Sequence, residues 1–240
     1  MEYDLKKFES GLKELNLMLS EKQINQFMIY YEMLIEKNKV MNLTAITEYE
    51  EVIEKHFLDS LSLCKHFQFD KNLSVIDLGT GAGFPGIPLK LAFPDLEMTL
   101  VDSLNKRVLF LQDVINALNL NNIRVIHSRA EELGKNQKYR EKYDLCVSRA
   151  VANLASLSEY CLPFVKPGGF FVSYKSGNIE EELSVSEKAI SVLGGSLKEV
   201  FKFQLPNTEI NRSFVVIEKI KHTPKAYPRK AGTPSKEPIR

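Results

Sequence analysis

Apolar positions along the chain change their period near residue 70. Before that point they recur at helical spacing. Ile24, Phe27, Met28, Tyr31, Leu34 and Ile35 fall on one face behind a capping box, "SEKQ", at residues 20–23. A second box, "TEYE" at residues 47–50, predicts another amphipathic helix bearing Val52, Ile53, His56, Phe57, Leu61 and Cys64. The intervening "NKVMNLTAI" reads as a loop, and a weaker helical pattern precedes Ser20. From Leu73 onward, short apolar runs alternate with helical patterns, as in a parallel sheet with crossover helices. The predicted strands are "LSVIDL", "EMTLVD", "IRVIHS", "YDLCVS" and "GFFVSY", followed by two more near residues 197–205 and 212–220. Only "PNTEIN" separates that last pair, whereas a parallel crossover needs about a dozen residues or more. The final two strands are therefore predicted to be antiparallel.

That prediction bears on a glycine pattern. "VIDLGTGAGFPGIPL" (residues 75–89) holds Gly81, Gly83 and Gly86 in the G-x-G-x-x-G spacing of dinucleotide-binding turns. A doubly wound dinucleotide domain is parallel throughout, however, while a mostly parallel sheet closed by an antiparallel hairpin is the S-adenosylmethionine (SAM) methyltransferase pattern. Taken one step earlier, the glycines are Gly79, Gly81 and Gly83, preceded by Asp77 at the end of an apolar strand. Such a turn lets a ligand approach the backbone closely. Pro85 is expected to start the following helix, whose free N–H groups would receive the methionine carboxylate. Asp102 lies 23 positions after Gly79, near the offset of about 20 at which an acid meets a ribose diol. Ala130 and Glu131, in "SRAEEL", are candidates for the adenine side, with a plain helix start as the alternative, and Phe84 is either a cover for the ligand or core.

The fourth strand ends in "SRAV", residues 148–151, without the N-P-P-[YF]-like motif that polarises an exocyclic amine. Cys146 lies mid-strand and Cys161 on a predicted helix, and each reads as a small buried hydrophobe rather than a nucleophile. An acceptor nitrogen with an in-plane lone pair, such as guanine N7, needs neither a nucleophile nor a base, only alignment and electrostatic shaping. Arg149 is a candidate for cofactor or acceptor contact, and Lys175, beyond the "KPGG" turn, for orienting the substrate. His56 reads as a satisfied core histidine.

Three cysteines without C-x-x-C spacing argue against disulfides and zinc, and no His, Cys or Asp cluster has metal-ligand spacing. No segment approaches the roughly 20 apolar residues of a membrane span, and the mixed charges of "MEYDLKKFES" do not resemble a leader. A cytoplasmic protein without metal or membrane partner is expected, by default a monomer. The formal net charge is +1, but the last 22 residues carry Lys219, Lys221, Lys225, Arg229, Lys230, Lys236 and Arg240 against Glu237 alone. With few large apolar residues, this tail is expected to be a basic arm that neutralises RNA phosphates, Tyr227 being available for stacking; solubilising disorder is the alternative. A methyltransferase for a small molecule or a protein, an NAD-dependent oxidoreductase and a non-catalytic binding module remain the rival readings.

The chain resembles the RsmG family (glucose-inhibited division protein B, GidB) in "NKVMNLTAI" followed by "HFLDSL", in "VIDLGTGAGFPGIPL", in "SRAEEL" and "SRAV", and in "YPRKAGTPSKEPI". The resemblance implies an α/β fold of the class I SAM-dependent methyltransferase (Rossmann-like) type, with an N-terminal helical extension (1–70), a SAM-binding core (71–220) and a basic tail (221–240). It also implies methylation of N7 of one guanine in the decoding-region loop of 16S ribosomal RNA, naked or in the small ribosomal subunit. Carried over by motif, Gly79, Phe84, Asp102, Ala130, Glu131 and Arg149 would contact SAM, beside Asp77 and Gly81 of the turn.

Overall fold

The computed structural model describes residues 3–149 and 152–240, so Ala150 and Val151 of "SRAV" lie outside the described residues. Seven strands form one sheet: β1 (Ser74–Leu78), β2 (Glu97–Asp102), β3 (Ile123–His127), β4 (Tyr143–Arg149), β5 (Val165–Ser176), β6 (Gly195–Gln204) and β7 (Asn211–Lys219). Their order is β3-β2-β1-β4-β5-β7-β6. β1 to β5 run parallel, and β7 is antiparallel to both β5 and β6. This is the expected fold class, with the hairpin strand β7 placed between β5 and β6. Its turn closes where Leu205 N–H donates to Ile210 O at 2.9 Å.

The central strands are buried on both faces. Val75, Leu100, Leu145 and Val172 face one apolar cluster, and Ile76, Val101, Cys146 and Phe171 face the other, which is the period-two alternation of a covered sheet. The first cluster is shared with the N-terminal helices α1 (Lys6–Glu14) and α2 (Glu21–Met41) through Phe8, Phe27, Tyr30 and Leu34. α5 (Gly86–Ala92) and α6 (Asn105–Ala117) complete that layer. The opposite face is covered by α8 (Leu154–Cys161) and α10 (Glu187–Val192), preceded by the short helices α7 (Ala130–Leu133) and α9 (Glu180–Ser184).

Local chemistry explains most boundaries. Ser20 and Gln23 form the predicted box, the Gln23 N–H donating to Ser20 Oγ and the Ser20 N–H to Gln23 Oε1. α2 runs further than the sequence pattern predicts, through Met41, and ends at Asn42 in the left-handed region. Asn38 then clips the loop by bonding both Thr44 N–H and Thr44 O at 2.9 Å. The second predicted box does not form. Glu48 occupies the cap position of α3 (Tyr49–Val52) without a side-chain cap bond. The helix continues through a π turn at Ile53–Leu58, α4 (Asp59–Leu61) and a 3-10 turn at Ser62–Lys65. The π turn carries His56 and directly precedes Asp59, and both reach the sheet edge; such insertions often serve sites.

The tail is ordered against the body of the protein rather than projecting as an arm. Arg140 donates to the carbonyls of Thr223, Pro224 and Tyr227. Arg229 forks onto the buried Glu159, and α11 (Thr233–Lys236) follows.

Gly83 shows how tightly the N-terminal helices grip the glycine turn. Its φ is +108°, and a Cβ there would lie 2.7 Å from both Ile87 Cγ1 and Tyr30 Oη, whose hydroxyl donates to Ala82 O at 2.6 Å. Gly83→Ala is expected to lower stability by at least about 2 kcal/mol, read as a lower urea midpoint. At Gly81 (φ +63°) a Cβ meets only Gly79 O at 4.0 Å, so Gly81→Ala is expected to cost only backbone strain, about 1 kcal/mol.

Candidate active site

The parallel strands deliver Leu78, Asp102, His127, Arg149 and Ser176 to one edge of the sheet. Strand order reverses between β1 and β4, which opens a crevice at that edge. A cavity lies on each side of the reversal.

The first, of about 200 Å³, lies beyond β1, β2 and β3. Gly79, Asp102, Ser128, Ala130 and Glu131 line it from the sheet edge, Leu157 and Tyr160 from α8, and Gly232 and Ser235 from the tail. Asp102 is buried and binds its own surroundings: Oδ1 accepts from Leu104 N–H at 2.9 Å, and Oδ2 from Gly81 N–H at 2.9 Å and from Arg107 Nη1 at 3.5 Å. A carboxylate offers about four acceptor sites, so room remains for a hydroxyl. Glu131, also buried, accepts from Gly232 N–H through Oε1 at 2.8 Å.

Asp77 is not part of the lining. It is fully buried, and Oδ2 accepts from Thr80 Oγ1 at 2.6 Å and Gly86 N–H at 2.9 Å. It therefore braces the turn from inside, and it takes the first N–H of α5 that the sequence pattern assigned to a ligand carboxylate. Pro85 is the residue before that helix rather than its first member. Oδ1 of Asp77 has no partner among the described residues. Burial pushes the Asp77 carboxyl up to about 7, against the pull of Thr80, the Gly86 N–H and Arg149.

The second cavity, of about 600 Å³, lies beyond β4, β5 and the start of β7. Lys55, Arg149, Lys175 and Arg212 line it with Asp59, Glu182, His56 and Tyr174. Asp59 uses both oxygens. Arg149 Nη1 lies 2.7 Å from Oδ2 and Arg212 Nε 3.0 Å from Oδ1. Lys175 donates to Glu182 Oε1 at 2.6 Å and to Ala152 O at 2.8 Å. The lining thus holds four cations and two carboxylates, both carboxylates being ion-paired.

Arg149 is expected at the cofactor but faces this second cavity. It lies over the Phe84 ring, 5.0 Å from the centroid, and donates to Lys55 O and to His56 Nδ1. Nδ1 of His56 also lies 3.0 Å from Lys55 O, but arginine can only donate, so the tautomer that satisfies Arg149 has Nδ1 accepting and the proton on Nε2, facing Thr44 Oγ1 at 2.8 Å. Burial, helped by the adjacent Arg149 charge, drives the His56 pKa down to about 3. The ring stacks on Phe84 at 4.5 Å, which is itself buried among Tyr30 and Phe57 and lines neither cavity. Phe84 is thus core that carries the site residues on one face.

Gly79, Asp102, Ala130 and Glu131 are brought together as the sequence predicts, while Asp77, Gly81 and Phe84 support them from behind. The sequence reading missed Asp59 and Arg212. Asp59 leaves a signal, an acid seven positions after Val52 and three after His56 on the face that carries the apolar residues of its helix; a single arginine in "NRSFVV" leaves none. Cys146 and Cys161 are buried, and Cys146, its thiol pushed well up by burial, is held in the unreactive form. Among the described residues, no group of three or more His, Cys, Asp or Glu side chains is placed to hold a metal ion, and no helix is long and apolar enough to cross a membrane.

Comparison with known proteins bears on this arrangement. The profile of the family described as "GidB: rRNA small subunit methyltransferase G" matches residues 23–211. A protein named ribosomal RNA small subunit methyltransferase G from Lachnoclostridium phytofermentans is 56% identical over 97% of this chain and 96% of its own. Its namesake from Bacillus subtilis is 49% identical over 98% and 99%. Among solved structures, a SAM-dependent methyltransferase from Aquifex aeolicus superposes with a TM-score of 0.54, at 16% identity, over 73% of this chain and 96% of that one. M. jannaschii TYW2 in complex with AdoMet gives a TM-score of 0.53, at 18% identity, over 73% and 80%. High identity with the first two proteins over nearly the full length and superposition on the others converge: the chain belongs to the GidB (rRNA small subunit methyltransferase G) family and is a SAM-dependent methyltransferase.

Proposed function

We propose that this enzyme methylates N7 of one guanine in 16S ribosomal RNA, free or within the small ribosomal subunit, and does so in the cytoplasm without a general base. The first cavity suits the adenosine of SAM. Asp77, Asp102 and Glu131 put three buried carboxyl groups around a turn whose Gly81 face is open, which matches a cation that carries a ribose diol. Asp102 would receive the diol, and Gly79, Ala130 and Glu131 would bound the adenosine. When bound, SAM would supply a sulfonium methyl for the acceptor lone pair to attack, the methyl–sulfur bond breaking so that neutral S-adenosylhomocysteine leaves.

One observation carries the acceptor assignment: among the described residues, His56, Asp59 and Glu182 of the larger cavity are all engaged. His56 accepts from Arg149 and donates to Thr44, while Asp59 and Glu182 hold Arg149, Arg212 and Lys175. A nucleophile that had to lose a proton would find no acceptor here, whereas guanine N7 brings a free lone pair. The surplus of cations suits a polyanion. Guanine also presents O6 and N7 as adjacent acceptors to arginine or lysine. Loop RNA can splay a base into such a cavity, about 600 Å³ in volume.

The direct test is incubation of the purified protein with methyl-labelled SAM and small-subunit RNA or particles lacking the modification, followed by mapping of the label. The expected result is 7-methylguanine at a single loop position; label on another atom, or on protein, would overturn the reading.

Two further outcomes are expected. At saturating SAM, kcat should stay flat within about twofold from about pH 6 to 8.5. His56 is neutral over that whole range, since its pKa of about 3 lies below it, and Asp77, whose carboxyl burial pushes up to about 7, lines neither cavity. A limb near the ordinary histidine value would reveal a base.

Arg212→Gln should raise the KM for RNA by about tenfold while leaving SAM affinity unchanged. Arg149→Met should lower kcat by at least about a hundredfold. It should also lower stability by about 3 kcal/mol or more, because it removes one partner of the buried Asp59; thermal unfolding reads the second effect.

A further inference from the structure

The tail contributes to the cofactor cavity. Residues 229–235 run from the turn at Tyr227 to α11 as a strap across its mouth, fixed at both ends. At the start, Arg229 forks onto Glu159 of α8, with Nε 3.0 Å from both carboxylate oxygens and Nη2 2.7 Å from Oε2, while its own N–H donates to Oε1 at 2.7 Å. Glu159 is fully buried, so this arginine is spent inside the protein and is not free for a phosphate. At the other end, Ser156 Oγ donates to Pro234 O at 2.7 Å. Between these anchors the strap's inward polar contact is Gly232 N–H to Glu131 Oε1, and Gly232 and Ser235 line the cavity.

We infer that residues 229–235 are a positioning element for the cofactor, in which Gly232 and Ser235 close the adenosine cavity and Glu131 joins the strap to the ligand. The inference rests on the placement of adenosine in this cavity, proposed above. Its consequence is thermodynamic. Glu131 is one carboxylate shared between the strap, which it holds through Oε1, and the cavity that it lines. A ligand that fills the cavity therefore touches the strap and fixes it, and by reciprocity a docked strap strengthens ligand binding. The interaction is independent of RNA, although the exposed Lys230 and Lys236 ride on the same segment.

Two measurements on the full-length protein test this. Ser235→Trp places an indole at the cavity mouth on an exposed residue, so the fold should survive. SAM affinity by calorimetry is expected to fall at least tenfold, with the melting temperature of the free protein and its RNA affinity unchanged. A change in SAM affinity below twofold would overturn the proposal, as would a loss of RNA binding with SAM binding intact. Hydrogen exchange on the unaltered protein gives the second readout: SAM is expected to slow the amides of residues 229–236 at least tenfold, and no slowing would overturn the proposal even if Ser235→Trp fails to fold. Asp102→Asn, measured in parallel, separates the two readings. If it lowers SAM affinity and Ser235→Trp does not, the strap proposal fails alone. If neither does, adenosine does not sit in this cavity and both fail.

Discussion

The site depends on one buried carboxylate, Asp59. It sits immediately after the π turn of the N-terminal helical stretch, and its two oxygens hold Arg149 at the end of β4 and Arg212 at the start of β7. Between those strands lies β5, whose Tyr174 pairs with Arg149 on one side and with Phe214 on the other. Asp59 thus spans three neighbouring strands from above. A carboxylate withdrawn from water is costly unless both oxygens are matched, and here the matching groups are the cations that line the larger cavity. The N-terminal helices therefore build one wall of the larger cavity. Phe84, in contact with both the His56 ring and the Arg149 guanidinium, connects that wall to the glycine turn.

A second buried carboxylate, Asp77, does for the turn what Asp59 does for the cavity. By taking the Thr80 hydroxyl and the Gly86 N–H, it fixes the start of α5 against β1. Gly86 fits there because a Cβ would lie 2.3 Å from Leu100 Cδ2 and 2.8 Å from Asp77 Oδ2. The acid and glycines of this motif are legible in the sequence as a ligand-binding turn, but the acid acts from beneath the turn. A spacing rule reports that a carboxylate and a tight turn occur together. It does not report which side of the backbone the carboxylate occupies.

The strands and their antiparallel end were legible for a simple reason. A sheet covered on both faces writes its interior as continuous apolar runs, and a six-residue connection leaves no room for a crossover. What the sequence hid is held by polar contacts across long separations. The tail was read as a basic arm because it is rich in lysine and proline and poor in large apolar residues. Its docking relies on three backbone carbonyls gathered by Arg140, on Arg229 paired with the buried Glu159, and on one serine hydroxyl. Composition counts Arg229 as a surface charge and cannot see its partner 70 positions away. The same holds for Arg212 and Asp59, 153 positions apart.

These polar clamps also account for how the two cavities can work together. The β1/β4 reversal places them side by side on one edge, each closed by a segment outside the parallel core: the helical extension over one and the tail over the other. Methyl transfer without proton transfer relies on alignment, and effective alignment requires that both partners be held by rigid neighbours rather than by solvent-exposed loops. Here the groups nearest each cavity are fixed by buried carboxylates. Asp59 holds the arginines of the larger cavity, Asp102 holds the Gly81 N–H and the start of the loop after β2, and Glu159 holds the strap. The transfer proposed above asks for no base, and these buried carboxylates serve geometry.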